Sequence, residues 1–308
     1  SNWSFGHSFN RWFYHDLVHD VSRFKLGQIV PTPTYESGHA SDEFSMPDLP
    51  ATSSWDGCIG ERQTVNSITG SSAIMIPDGA YDLDVDLTPS NDATRWKARW
   101  QHVSYMRYTS NKSFVQNELM TRDATFIGIN AYGKWKAISV DTCPPPARRL
   151  YSYDSRSSSP TEASGGLSSF DKYVDSLWTA DGLYGDLGML WAGRLISPTG
   201  IFAADNNSAP NDLPIHRHII FLSNDRTSDI EYENHSYGYT YLSELIAPWN
   251  THTDGLIALH DRRLQIVCNQ LKGKGVTIWV VAFAVEPTTA MKYCATDANH
   301  LSTVDTAD

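Results

Sequence analysis

The chain has 308 residues, of which 41% are apolar and 12% aromatic, enough to bury at least one large core and too many for a disordered polymer. Its net charge of −11 excludes the basic stripe that a nucleic-acid surface needs, and pairs such as Arg148–Arg149 and Lys272/Lys274 read as solvated surface. No window approaches the ~20 consecutive apolar residues of a membrane span, so no span is expected in this chain.

The chain opens SNWSFGHSFN without an initiator Met, and is expected to be part of a longer or processed precursor whose anchor or export signal lies upstream. From residue 1 to about 165 the texture is irregular, with short apolar runs and many turn residues. Residues 31–54, rich in Pro, Gly and Ser, read as loop. YDLDVDLTP (81–89) alternates polar and apolar residues and predicts a strand. WKARWQHVSYMRY (96–108) reads as a further extended piece, and 123–140 as a hairpin turning near Gly133-Lys134. SRSSSPTEASGG (155–166) has the composition of a linker.

The rhythm then changes. SSFDKYVDSL (168–177) predicts a helix capped by Ser, with Phe170, Tyr173, Val174 and Leu177 on one face. DLGMLWAGRLIS (186–197) predicts a second helix, stopping before Pro198. HIIFLS (218–223) is a short, continuously apolar run, the pattern of a strand buried on both faces. A third helix over 256–275 places Leu264, Val267, Cys268 and Leu271 on one stripe and stops at Gly. VTIWVVAFAV (276–285) predicts a second buried strand. Alternating helices and strands predict an α/β fold, a doubly wound Rossmann-like sheet over 166–308, with residues 1–165 as a β-rich, loop-rich insertion or appendage.

Four cysteines, Cys58, Cys143, Cys268 and Cys294, allow three pairings, and none forms a CxxC pair. Cys58–Cys143 and Cys268–Cys294 are favoured because each stays within one half of the chain. Disulfides, few Lys and many Ser, Thr, Asn and aromatic residues suit an oxidising, exported location. Asp82, Asp84 and Asp86 would share one face of the expected strand. That face reads either as a Ca2+ site completed by backbone carbonyls, Asp78 or Asp92, or as a solvated face whose charges discourage edge pairing. His216 and His218 lack a third ligand at zinc spacing. There is no Gly-x-Ser-x-Gly elbow, Walker loop or paired-Gly dinucleotide turn, so no catalytic residue is assigned. Among the tryptophans, Trp191 and Trp279 are expected in the core and others at an interface.

Residues 53–96 (SSWDGCIGERQTVNSITGSSAIMIPDGAYDLDVDLTPSNDATRW), CPPPARRL (143–150), LYGDLGMLWAGRLISPTGIFA (183–203), RHIIFLSND (217–225) and KGVTIWVVAFAV (274–285) resemble, in the same order, the C-terminal region of TadG-like proteins of the tight-adherence (Flp) pilus-assembly group. That resemblance implies a von Willebrand factor A-type domain, a doubly wound sheet that often carries a metal-ion-dependent adhesion site. Of its three loops the first has no complete counterpart, His19-Asp20-Val21-Ser22 offering only an Asp-x-Ser start within the expected insertion; the second maps to Asp181-Gly182-Leu183 with Leu183 where Thr is expected, and the third to Ser223-Asn224-Asp225 with Asn224 where the carboxylate is expected. The resemblance therefore implies a degenerate site at Ser223, Asn224 and Asp225, which if loaded would take Ca2+ or Mg2+.

The expected function is that of a non-enzymatic bacterial cell-envelope protein, periplasmic, outer-surface or extracellular. It would act by protein–protein contact with other envelope or pilus proteins or with itself, in pilus assembly, adhesion or a surface assembly. Two alternatives stand beside it: a secreted metal-dependent hydrolase or carbohydrate-binding protein using the Asp82/Asp84/Asp86 face, and a structural subunit of an extracellular filament or envelope complex.

Overall fold

A computed structural model describes residues 18–22, 26, 52–55, 57–99, 105–108, 114–120, 125–129, 135–139, 147–150, 170–175, 177, 184–209, 212–224 and 234–305. The chain divides into two units, residues 1–58 with 98–143, and residues 59–97 with 144–308. This moves the expected boundary: residues 59–97, grouped above with the appendage, belong to the unit that holds the α/β elements. The reason is burial, because Ile68, Ala80, Leu83 and Val85 sit in the same apolar core as the helices that follow.

In the first unit, β1 (Val18–Asp20) pairs in parallel with β2 (Thr52–Ser54). Strands β5 (Tyr105–Tyr108) and β6 (Phe114–Met120) form one antiparallel pair. β7 (Thr125–Ile129) and β8 (Trp135–Ser139) form another, with Ile129 opposite Trp135, as the hairpin expected over 123–140 requires. At the two ends of segment 59–97, which belongs to the second unit, the short strands β3 (Ile59–Gly60) and β4 (Lys97–Ala98) pair with each other. The linker over 155–166 and most of the loop over 31–54 lie outside the described residues.

The second unit is built on a three-stranded parallel sheet of β9 (His218–Ser223), β12 (Thr277–Phe283) and β13 (Leu301–Val304), with β12 in the centre. Between β9 and β12 come the hairpin strands β10 (Asn234–His235) and β11 (Gly238–Tyr239), the short helix α4 (Thr240–Ser243) and the long helix α5 (Thr253–Gly273). Before the sheet come α1 (Phe170–Asp175), α2 (Gly185–Ile196) and α3 (Ala203–Asn206); α6 (Thr289–Cys294) joins β12 to β13. The mixed α/β character expected for this half is present. Val174 on α1 and Leu177 just beyond it, however, are exposed, so these two positions of the predicted apolar face are not buried.

Helix α5 follows its stripe: Leu264, Val267, Cys268 and Leu271 are all buried. It ends where expected, because Gly275 supplies the positive φ (77°) that turns the chain back into β12. Helix α2 lies beside it and runs the same way. Asp186, near the start of α2, meets His260, and Gly193, two turns on, lies against Leu271. A disulfide between Cys268 and Cys294 ties α5 to α6, one of the two expected pairs. Cys58 is also disulfide-bonded, and its expected partner Cys143 lies outside the described residues.

Three local expectations are corrected. Residues 81–89 do not form a strand: Tyr81–Leu83 is a turn of 3-10 helix. Asp82 and Leu83, neighbours in sequence, are both buried, which a strand with one solvent face cannot achieve, since successive side chains point to opposite sides. Second, the sheet is not buried on both faces. Ile219 on β9 and Ile278, Val280 and Ala282 on β12 are buried, whereas Ile220 and Leu222 are 72% and 65% exposed. Third, Trp279, expected in the core, points to that exposed face at 39% exposure, while Trp191 on α2 is half-buried.

Candidate functional site

Two features of the second unit stand out, a network of buried charges and the open face of the sheet. Segment 59–97 reaches the helices through charged side chains. Arg62, Arg194 and Arg263 are 1%, 0% and 0% exposed, and Glu61, Asp82 and Asp186 are buried with them. Arg194 forms a two-pronged ion pair with Glu61 at 2.8 and 2.9 Å and donates to the Asp82 carbonyl at 2.6 Å. Trp191 Nε1 donates to the same Glu61 at 3.0 Å. Arg263, from the middle of α5, donates to the Asp82 carboxylate and, at 2.7 Å, to the Tyr237 hydroxyl, which in turn donates to Asp82 at 2.8 Å. Asp186 meets His260 Nδ1 at 2.9 Å and lies 3.5 Å from Arg263 Nε.

The electrostatics follow from this pairing. Burial drives the Tyr237 hydroxyl well above its ordinary value, so it stays protonated and keeps its role as donor. Burial also works against the Asp186 carboxylate, but His260 and Arg263 outweigh it and hold the group below the ordinary range. For Arg263 the desolvation cost is overcome by Asp82, Tyr237 and Asp186, and its pKa is raised. Such a network joins segment 59–97, the β10–β11 hairpin and both long helices into one body. Chemically it is a set of paired ions around a protonated phenol.

Sequence reasoning missed these arginines, although a signal was present. Arg263 falls on the apolar stripe of α5, four residues after Leu259 and one before Leu264, where a charged side chain must be either paired or mispredicted.

The three aspartates assigned to a common face are separated. Asp82 belongs to the buried network. Asp84 Oδ1 accepts from the backbone N–H of Asp86 at 2.9 Å, closing a local turn. Asp86 accepts from the Ser197 hydroxyl and pairs with Lys274. Burial pushes the Asp86 carboxyl up, but hydrogen bonds from Lys274 and Ser197 prevail and hold it below the usual carboxylate value. Once the expected strand becomes a 3-10 turn, alternation no longer places the three carboxylates together. Among the described residues no group of three or more His, Cys, Asp or Glu side chains converges as a metal cage would.

The loop after β9 stands at the end of a parallel strand, where the resemblance places it. Ser223 is half-buried as the last residue of β9 and Asn224 is exposed; Asp225 and residues 181–183 lie outside the described residues. Ser223 and Asn224 supply only neutral oxygens, so they do not by themselves make the charged donor set a hard divalent cation needs. His218 accepts from Trp279 Nε1 at 3.2 Å, which makes it a partner of the indole.

The open face is formed by alternate residues of the three strands. Ile220 lies beside Trp279, Leu222 beside Val281, and Phe283 beside Val304. Ile220, Leu222, Trp279, Phe283 and Val304 are all exposed. The His300 ring packs on Trp279, 4.2 Å between centroids, with the two planes tilted by 58°. Parallel sheets normally bury both faces, so an apolar face left exposed on this sheet is a departure from that pattern. No helix among the described residues is long and apolar enough to cross a membrane. In comparisons with protein-family models, curated proteins and solved structures, this chain has no match.

Proposed function

We propose that this chain is the later part of a von Willebrand factor A-like domain of a TadG-like cell-envelope protein. It works without catalysis, by protein–protein contact, in tight-adherence pilus assembly, adhesion or a surface assembly. The observation that carries this reading is the apolar sheet face of Ile220, Leu222, Trp279 and Phe283, displayed on a sheet whose other face packs against the core. The buried ion pairs support it from behind, since they tie segment 59–97 and the helices together beneath the sheet. The disulfide between α5 and α6 supports an oxidising location at the cell envelope. Binding in this reading rests on shape and apolar contact and involves no cation.

The test is a binding measurement on envelope fractions of the source organism, with a photo-crosslinking residue at position 220 to identify what is captured. The paired change Ile220→Ser and Leu222→Ser removes two apolar anchors, each contributing about 1.5–3 kcal/mol when buried. Capture is expected to fall at least tenfold, with thermal stability unchanged and with wild-type capture surviving EDTA. Capture that persists in the double variant, or that chelation abolishes in the wild type, overturns the reading.

A further inference from the structure

Arg62 stands apart in the buried network. Arg194 has Glu61, and Arg263 has Asp82 and Asp186. Arg62, 1% exposed, has one backbone acceptor, the Leu87 carbonyl, 2.6 Å from Nη1. Its Nε and Nη2 are buried with no hydrogen-bond partner among the described residues. These two nitrogens form the edge of a guanidinium that takes an anion in a fork. The guanidinium lies over Trp96, 3.7 Å from the ring centroid, and the indole Nε1 of Trp96 is likewise buried with no partner among the described residues.

Glu61, Asp84 and Asp82 act on the charge of Arg62 from a distance, but none accepts a hydrogen bond from this edge, although Asp82 Oδ1 is itself buried with no partner among the described residues. Glu61 has both carboxylate oxygens engaged by Arg194 and Trp191. Oδ2 of Asp82 is held by Arg263 and Tyr237, and Asp84 Oδ1 accepts from its own turn. Arg194, the other guanidinium at Trp96, adds repulsion at 5.1 Å from the same ring. Desolvation, with Arg194 second, lowers the Arg62 pKa to about 10. Buried donors left without an acceptor are costly unless a ligand completes them. Stacking on an indole offsets only part of that cost.

We propose that the Nε/Nη2 edge of Arg62, beside the Trp96 indole, binds a small monovalent anion of halide or formate size. The anion accepts from the two donors of Arg62 that no described residue engages. Small size follows from burial: an occluded fork admits an ion that fits among side chains, not a nucleotide or a peptide carboxylate on its own backbone. This proposal is independent of the sheet face and of any partner.

The test exchanges sodium chloride for sodium gluconate at constant pH and ionic strength, kept near or below about 0.1 M, where general salting effects on burial are small. Chloride is expected to raise the melting temperature by a saturable amount of about 2–4 °C relative to gluconate. It should also show line broadening in 35Cl NMR in proportion to protein. Arg62→Met is expected to lose both effects. If that variant does not fold, Arg62→Lys, which keeps the charge but lacks the fork, should weaken chloride binding at least tenfold. Melting that is identical in the two salts, or broadening undiminished by either substitution, overturns the proposal and leaves ordered water as what serves these donors.

Discussion

At the scale of single residues, the stability of the second unit is tied to charges that water cannot reach. Removing one partner of a buried pair leaves the other uncompensated, so Arg263→Met should destabilise the fold by about 3–5 kcal/mol. Tyr237→Phe, which deletes one hydroxyl between Arg263 and Asp82, should cost about 1–2 kcal/mol. Denaturant unfolding checks both, and a double-mutant cycle on Asp82 and Arg263 should give a coupling well above the scatter of independent sites. The carboxylates also set the acid limit. Asp86 and Asp186 are held below their ordinary values in the folded state. Their contribution is therefore fully present above the unfolded carboxylate pKa of about 4 and is lost as pH falls through the lower folded values. Melting temperature measured from pH 6 downward should fall most steeply below about pH 4. Asp86→Asn should flatten part of that slope, at a cost near neutrality of about 0.5 kcal/mol for a partly exposed pair.

At the scale of elements, the decisive piece is the irregular segment 80–87, threaded between helix ends. Val85 N–H donates to Gln270 on α5 at 3.0 Å, Asp86 bonds Ser197 at the end of α2, and Leu83 and Val85 fill the core. The approach is close enough that a Cβ on Gly200 would lie 2.9 Å from the Val85 carbonyl oxygen, a backbone atom that cannot step aside. Gly200→Ala should therefore destabilise by about 1–3 kcal/mol despite the smallest possible change in side chain, measurable by thermal unfolding. The second tie is covalent. Cys268 and Cys294 close a loop with a sequence separation of 26. Replacing both by Ser should cost about 3 kcal/mol, chiefly through the freed unfolded chain, and reduction of the wild type should lower its melting temperature in the same direction. The helices were legible in sequence because their signals are local: the stripe from Leu264 to Leu271, the stop at Gly275, and Pro198 beyond α2. Segment 81–89 was not, because its alternation of Asp and apolar residues mimics a strand while each Asp answers to a distant partner.

At the scale of the molecule, the second unit presents one packed face and one open face of the same sheet. HIIFLS looked like a strand buried on both sides because all its residues but His218 and Ser223 are apolar, and the sequence carries no mark of which side a helix will cover. If the open face is the contact surface proposed above, the isolated wild type should also contact itself through it. Sedimentation at rising concentration is expected to show weak association that the Ile220→Ser, Leu222→Ser variant lacks; identical profiles would place the contact surface elsewhere. Of the candidate site, the position of Ser223 and Asn224 at a strand end could be read in advance, because a polar loop after an apolar run is a local pattern.

The amino-acid order alone determined the α/β character, the long helix and its end, the β7–β8 hairpin and the pairing of Cys268 with Cys294, since each depends on neighbours within a few tens of residues. Only the tertiary structure decided that residues 59–97 join the C-terminal core, that three aspartates part company, and that three arginines are buried, two beside tryptophans and one beside Tyr237. Those outcomes depend on which distant groups meet, and ion pairing and the burial of a sheet face are energies of contacts between segments far apart in the chain.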